Sequence, residues 1–282
     1  MNKIGFIGYG HMGSVMLKSM LSMKAINPNQ LIISTRTKNK LNDLKAIYPH
    51  VEIAKNNCDV AQKSSTLFLC VGTSHVKSVL MEIIDVLHNK KHLITISGGL
   101  EIASIEKVFR GKVTKVIPTI ISEVQEGVTL ICHNSQVKET EKSRLFRMFS
   151  KIGHVKEIPE HQFEMGADFT SCAPGLLASI SDQFIHAGVK QSDFTYEEAC
   201  EMFLYTLYGT AKLLLKNKED FKSLVQRVAT KGGATEGGVS VLEAYLTDLF
   251  DKVFAATLQR HEARKQITQQ HFEETMVSNQ GR

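Results

Sequence analysis

From residue 1 to about 155, short apolar runs alternate with longer amphipathic stretches. Ile4-Gly5-Phe6-Ile7, Leu31-Ile32-Ile33, Leu67-Phe68-Leu69-Cys70-Val71, Leu93-Ile94-Thr95-Ile96 and Val113-Thr114-Lys115-Val116-Ile117 predict buried strands. Val128-Thr129-Leu130-Ile131 predicts another, and 138–150 reads as a helix. Continuous apolar runs spaced by helical stretches are the signature of βαβ units closing a parallel sheet with both faces covered. After about residue 160 the texture changes. Leu177, Ile180 and Phe184 recur at helical spacing, as do Phe203, Leu207, Ala211 and Leu214. Leu242, Leu246, Leu249, Val253 and Ala256 step by four and three, a heptad-like seam that wants a partner helix. The stretch from Gln266 to Arg282 is polar enough to be expected to fray. The pattern predicts an α/β domain with a doubly wound, mostly parallel sheet over 1–160, an all-α domain over 161–270 and a polar tail over 271–282.

Composition narrows the class. The chain has 282 residues and 43% apolar residues, so two domains of ordinary size can each bury a core. The balance of 34 Lys plus Arg against 29 Asp plus Glu is mild, and the basic runs are no longer than pairs such as Lys90-Lys91. A phosphate-tracking surface needs a denser cluster, so nucleic acid is not an expected partner. Cys58, Cys70, Cys132, Cys172 and Cys200 are odd in number, widely spaced and never in a Cys-x-x-Cys pair. That argues against a disulfide framework and a zinc site, and fits a reducing cytosol. The run Ile4 to Gly8 is too short for a signal h-region, and no segment approaches 18 uninterrupted apolar residues. A cytoplasmic protein that neither crosses nor binds a membrane is expected.

Gly8-Tyr9-Gly10-His11-Met12-Gly13 matches G-x-G-x-x-G directly after the first strand and at the start of an amphipathic stretch. In a Rossmann unit the first glycine permits the tight turn, the second lets a pyrophosphate approach the backbone, and the third allows close helix packing. The free amides of the helix N-terminus then face the anion. The alternative is a glycine turn without a ligand. An acid at the end of the second strand would bond the ribose 2′-hydroxyl of NAD, and this chain has none there. It reads Ser34-Thr35-Arg36-Thr37-Lys38-Asn39-Lys40. Arg36 can clamp a 2′-phosphate in a charge-assisted fork, which favours NADPH over NADH; a solvated basic loop is the plainer alternative.

Lys231-Gly232-Gly233-Ala234-Thr235-Glu236-Gly237-Gly238 lies immediately before the heptad-patterned helix. Its amides and the Thr235 hydroxyl can converge on a small carboxylate, or the segment is a flexible interhelical turn. Together with Gly8 to Gly13, the Thr35-Arg36-Thr37 triplet, Ile117-Pro118, Glu126-Gly127-Val128-Thr129, Ala173-Pro174, Ala187-Gly188-Val189 and Gly232 to Thr235, the chain resembles the pyrroline-5-carboxylate reductases from Lys3 to about Arg264. The resemblance implies an NADPH-binding Rossmann domain and a helical domain that pairs with a second subunit, giving a homodimer. It also implies reduction of 1-pyrroline-5-carboxylate to L-proline, an oxidoreductase step ending proline biosynthesis. The cofactor would meet Gly8, Gly10, His11, Met12, Gly13, Thr35, Arg36, Val71, Gly72, Thr73, Pro118 and Thr119. The substrate carboxylate would be held by Thr230, Gly233, Ala234 and Thr235.

The departures from that family's pattern are specific. Ile117-Pro118-Thr119-Ile120-Ile121 stands where the family has Met-Pro-Asn-Thr-Pro, and Val71-Gly72-Thr73 where it has Val-Lys-Pro. Thr170-Ser171-Cys172-Ala173-Pro174-Gly175-Leu176 replaces Ser-Gly-Ser-Gly-Pro-Ala-Tyr, and Thr230-Lys231 replaces the Ser-Pro before Gly-Gly. A family threonine considered as a proton donor aligns with Ala167, so no acid–base residue is assigned. The cofactor carries the hydride, and proximity and orientation can supply several kcal/mol without a strong side-chain acid. These departures resemble the branch that contains the late competence protein ComER. The alternative expectation is therefore a regulatory relative that binds NADP(H) and turns over slowly or not at all.

Other chemistries fit poorly. His75, His133, His154, His161 and His186 lie at no metal-ligand spacing and in no nucleophile motif, so no metal is expected. Ser97-Gly98-Gly99 is faintly similar to the β-hydroxyacid dehydrogenases, but the one Lys-x-x-x-Asn spacing, Lys38 to Asn42, falls in the nucleotide half.

Overall fold

The computed structural model describes residues 3–279, with side chains through residue 270. The first elements are β1 (Lys3–Ile7), α1 (His11–Ser22), β2 (Leu31–Ser34), α2 (Asn42–Ile47), β3 (Glu52–Ile53), α3 (Asn57–Lys63), β4 (Ser64–Leu69) and α4 (Thr73–Ile83). They continue as β5 (His92–Thr95), α5 (Ile102–Glu106), β6 (Lys112–Ile117), β7 (Val128–His133), α6 (Glu139–Phe149) and β8 (His154–Glu157). The helical part comprises α7 (Phe163–Ala167), α8 (Ala173–Val189), α9 (Tyr196–Asn217), α10 (Phe221–Val228) and α11 (Ala234–Asn279).

The eight strands form one sheet in the order β3-β2-β1-β4-β5-β6-β7-β8. All neighbours are parallel except β6 and β7. The order 3-2-1-4-5-6 is that of the dinucleotide-binding doubly wound fold, whose chain reverses direction across the sheet between β1 and β4. Strand period two sends Phe6 and Phe68 to one face, stacked at 4.5 Å with Met16, Leu17 and Phe149. It sends Ile7, Leu67 and Leu69 to the other, among Val76, Leu80, Ile83 and Phe163. Each such buried side chain contributes roughly 1.5–3 kcal/mol. Burial on both faces is why these strands read as unbroken apolar runs.

The expected strands are all present with shifted ends. The run Leu67 to Val71 becomes β4 from Ser64 to Leu69, because Cys70 and Val71 already turn away toward α4. Two strands carry no apolar run of their own: β3 spans two residues, and β8 is largely exposed at the sheet edge.

The chain divides into two compact units, residues 1–173 with 257–282, and residues 174–256. Helix α11 contributes its first part to the second unit and the remainder to the first. It also runs through the segment expected to fray, as far as Asn279; residues 280–282 of the expected tail lie outside the described residues.

In the second unit, Thr195 and Glu198 form a reciprocal capping box at the start of α9. Asp220 accepts from the Ser223 amide at 2.7 Å and caps α10. The expected apolar stripes lie on these helices: Leu177, Ile180 and Phe184 of α8 and Leu242 and Leu249 of α11 are exposed. The Phe184 and Phe203 rings meet at 4.9 Å.

Between α7 and α8 the backbone makes a five-residue π-helical turn, Asp168–Cys172. Pro174 has no N–H to give the carbonyl of Thr170 four residues back, which loosens the α-type ladder there. The Thr119 hydroxyl donates to that carbonyl instead, at 3.1 Å.

Candidate functional site

A cleft of about 710 Å³ opens at the carboxyl ends of β1, β2 and β4, the point where the strand order reverses. Gly8, Gly10, Thr35, Arg36, Val71 and Gly72 line it, so six of the expected cofactor contacts are brought together. His11, Met12 and Gly13 form the first turn of α1, and Thr73 opens α4 with its hydroxyl donating to the Gly98 carbonyl at 3.1 Å. Pro118 and Thr119 follow β6. Thr119 is fully buried, donating to Thr170 and accepting from the Ile121 amide at 3.4 Å, so its hydroxyl is engaged within the chain.

The glycines divide their work as the motif demands. A β-carbon on Gly8 would press on the Cys70 carbonyl, and one on Gly13 would lie 2.8 Å from Cys70 Cβ. A β-carbon on Gly10 would meet nothing within 4 Å. That open space lies at the N-terminus of α1, where no side chain caps the helix and the first turn holds no acid. Uncapped amides beside empty space make a cradle for an anion.

The cleft's other groups agree with a nucleotide cofactor. Arg36, Lys38 and Lys40 bring positive charge to the end of β2, and Glu82 is the one acidic residue in the lining. The Tyr9 hydroxyl is buried with no hydrogen-bond partner among the described residues, and burial, then the Asp43 carboxylate, push its pKa up. Such an orphaned donor is what a bound ligand would satisfy. The segment 54–57, a loop that runs into the first residue of α3, also lines the cleft and carries no motif of its own. What marks it is the Asn56 cap, whose side chain accepts from the Asp59 amide at 2.9 Å.

The second glycine turn lies in the other unit, at the start of α11. Gly232 adopts φ +74°, and its amide donates to the Glu236 carboxylate at 2.7 Å. The Gly233 amide donates to the Thr230 carbonyl at 2.9 Å. A β-carbon on Gly233 would sit 2.7 Å from Thr230 Oγ1, so the turn is closed on itself at this residue. Thr230, Ala234 and Thr235 are exposed around it. The turn thus already accommodates one carboxylate, that of its own Glu236.

A doubly wound sheet with this glycine turn at its switch point, followed by a helical unit, defines a dinucleotide-binding protein of the oxidoreductase type. Residues 3–99 match a family model described as NADP oxidoreductase coenzyme F420-dependent. Residues 160–264 match one described as pyrroline-5-carboxylate reductase dimerisation. Pyrroline-5-carboxylate reductase 3 of Bacillus subtilis is 32% identical over 93% of this chain and 96% of its own length. ComE operon protein 4 of the same organism is 27% identical over 92% and 95%. The chain belongs to the pyrroline-5-carboxylate reductase family.

The solved structure of a pyrroline-5-carboxylate reductase from Coxiella burnetii superposes with a TM-score of 0.84 at 26% identity, covering 93% of this chain and 98% of that one. A Plasmodium falciparum pyrroline carboxylate reductase with NADP bound shares the fold at a TM-score of 0.81 and 24% identity, covering 96% and 98%. Among the described residues no helix is long and apolar enough to cross a membrane.

Proposed function

We propose that this chain reduces 1-pyrroline-5-carboxylate to L-proline with NADPH, the closing step of proline biosynthesis, as a cytoplasmic homodimer. The observation that carries this reading is the open cradle at Gly10, at the switch point of a sheet in a chain of this family. Gly8, Gly10, His11, Met12 and Gly13 would hold the pyrophosphate, with Thr35 and Arg36 on the 2′-phosphate. Val71, Gly72, Thr73, Pro118 and Thr119 would border the nicotinamide side. When bound, the cofactor supplies the hydride for the electrophilic C=N carbon.

The remaining work belongs to the protein. Thr230, Gly233, Ala234 and Thr235 would bind the substrate carboxylate, which requires Glu236 to release the turn or share it. Orientation rather than a side-chain acid would lower the barrier. In this reading 1–160 is the nucleotide segment and 161–270 the substrate and dimerisation segment. The exposed seam of α11 and the exposed stripe of α8 support pairing with a second copy. Purified protein supplied with pyrroline-5-carboxylate should oxidise NADPH, seen as falling absorbance of the reduced nicotinamide. A flat trace with both NADPH and NADH would refute the reading.

A second reading is favoured by Thr119, whose hydroxyl is held by Thr170 and Ile121, and by the similarity to ComE operon protein 4. In it the chain binds NADP(H) as a regulatory ligand and turns over slowly or not at all. NADPH would then raise the melting temperature while proline and the imine leave it unchanged.

A further inference from the structure

We propose that Asp168, Cys172 and His261 form a binding site for a divalent transition-metal ion of the zinc class. The carboxylate oxygen, the thiol sulfur and the imidazole nitrogen all lie within 4.8 Å of one another. All three belong to the first compact unit, Asp168 and Cys172 on the π-turn and His261 on the last part of α11. None of them has a part in the proposed reduction.

The donor set suits that metal class. Zinc takes carboxylate, imidazole and thiolate together, at about 2.0–2.3 Å, so ligand atoms around it stand roughly 3–4 Å apart. Asp168 Oδ1 is 2.8 Å from His261 Nε2, and the Cys172 sulfur lies within 4.8 Å of the carboxylate oxygen and of the imidazole nitrogen. Small side-chain adjustments would therefore let an ion replace the proton shared by His261 and Asp168 and draw in the Cys172 sulfur. Three protein ligands leave the fourth tetrahedral position to water or another ligand.

The surroundings are arranged as a second shell. Asp168 Oδ2 accepts from the Thr257 hydroxyl at 2.7 Å, which fixes the carboxylate and points Oδ1 at His261. The Asp168 side chain has no exposed surface, so its charge needs compensation within the fold. The π-turn sets Asp168 and Cys172 side by side, and inserted π-turns occur frequently at functional sites.

The test uses the full-length chain with any affinity tag removed and metal stripped by chelation, then titrated with Co(II). No nicotinamide cofactor or imine enters the assay, so its outcome is independent of the reductase reading. The expected result is about one equivalent of Co(II) per chain with a near-ultraviolet thiolate-to-cobalt charge-transfer band, bleached by Zn(II). Cys172→Ser should abolish that band, and His261→Gln should weaken Co(II) binding about tenfold or more. Absence of the band in the wild-type protein, or its persistence in Cys172→Ser, would overturn the proposal and leave a hydrogen-bonded triad only.

Discussion

Gly8 packs so closely against Cys70 that a β-carbon on it would lie 2.5 Å from the Cys70 carbonyl oxygen, at a backbone φ of +99°. Gly10, two residues on, has extended backbone and open space beside it. The two glycines should therefore fail in different ways. Gly8→Ala should cost about 2 kcal/mol or more of stability through backbone strain and collision. Gly10→Val should change stability by less than about 1 kcal/mol, yet weaken NADPH binding about tenfold or more by filling the cradle. Thermal melts paired with calorimetry separate the two effects.

Arg36 lines the cleft just past the end of β2, in a stretch from Ser34 to Lys40 that holds no acid. Arg36→Gln should weaken NADPH about tenfold, as expected for a lost charge-assisted hydrogen bond of roughly 1.5 kcal/mol, and leave NADH nearly unchanged. Equal losses for both cofactors would remove the 2′-phosphate contact.

Gly233 and Glu236 should split substrate from cofactor. Gly233→Val pushes on Thr230 and should raise the KM for pyrroline-5-carboxylate about tenfold or more, with NADPH affinity held within about twofold. Glu236→Gln removes the negative charge already at the turn and should lower that KM. Steady-state kinetics with each substrate varied in turn provides both readings.

Acid should loosen the sheet through His92. Its ring is buried between β5 and β6, with Nε2 2.6 Å from Thr114 Oγ1, whose other neighbour is His133 Nδ1 at 2.7 Å. Burial lowers the His92 pKa from 6.5 to about 4, against the nearby Glu141 carboxylate, which raises it. His133 is lowered as well, chiefly by burial. A depressed folded-state value means that the unfolded chain binds the proton first. Stability is therefore full above pH 6.5 and is lost as pH falls from there toward about 4. The His92 gap corresponds to about 3 kcal/mol, and His92→Gln should flatten that part of a denaturation-versus-pH curve.

The seam of α11 predicts assembly. Leu242 and Leu249 are about half exposed, so Leu242→Glu with Leu249→Glu should convert a dimer to monomers in sedimentation velocity. An unchanged sedimentation coefficient would place the subunit contact elsewhere.

The sheet was legible because Phe6, Ile33, Phe68 and Ile94 are buried and their neighbours along each strand face a second core, producing runs that no amphipathic helix shows. β3 and β8 were not, since two residues and an exposed His-Val-Lys-Glu edge carry no such run. The Gly8 to Gly13 cradle was legible because its requirements are local. The meeting of Asp168 with His261 was not: 93 positions separate them, and the π-turn that aims Asp168 depends on a proline and on Thr119 from another part of the fold. The final helix outran the expectation of fraying because Gln and Glu, which recur there, are good helix formers whatever their polarity.

The last helix also bears on how the chain can be dissected. Lys265 pairs with Glu101 at 2.6 Å, and Arg264 lies against Gly99, so the ground beside β5 is covered by residues of α11, far along the chain. A fragment stopped after residue 173 would expose that ground and strand Asp168 without its imidazole. Excising 174–256 and rejoining 173 to 257 through a short linker is the cut that respects the molecule's own seams.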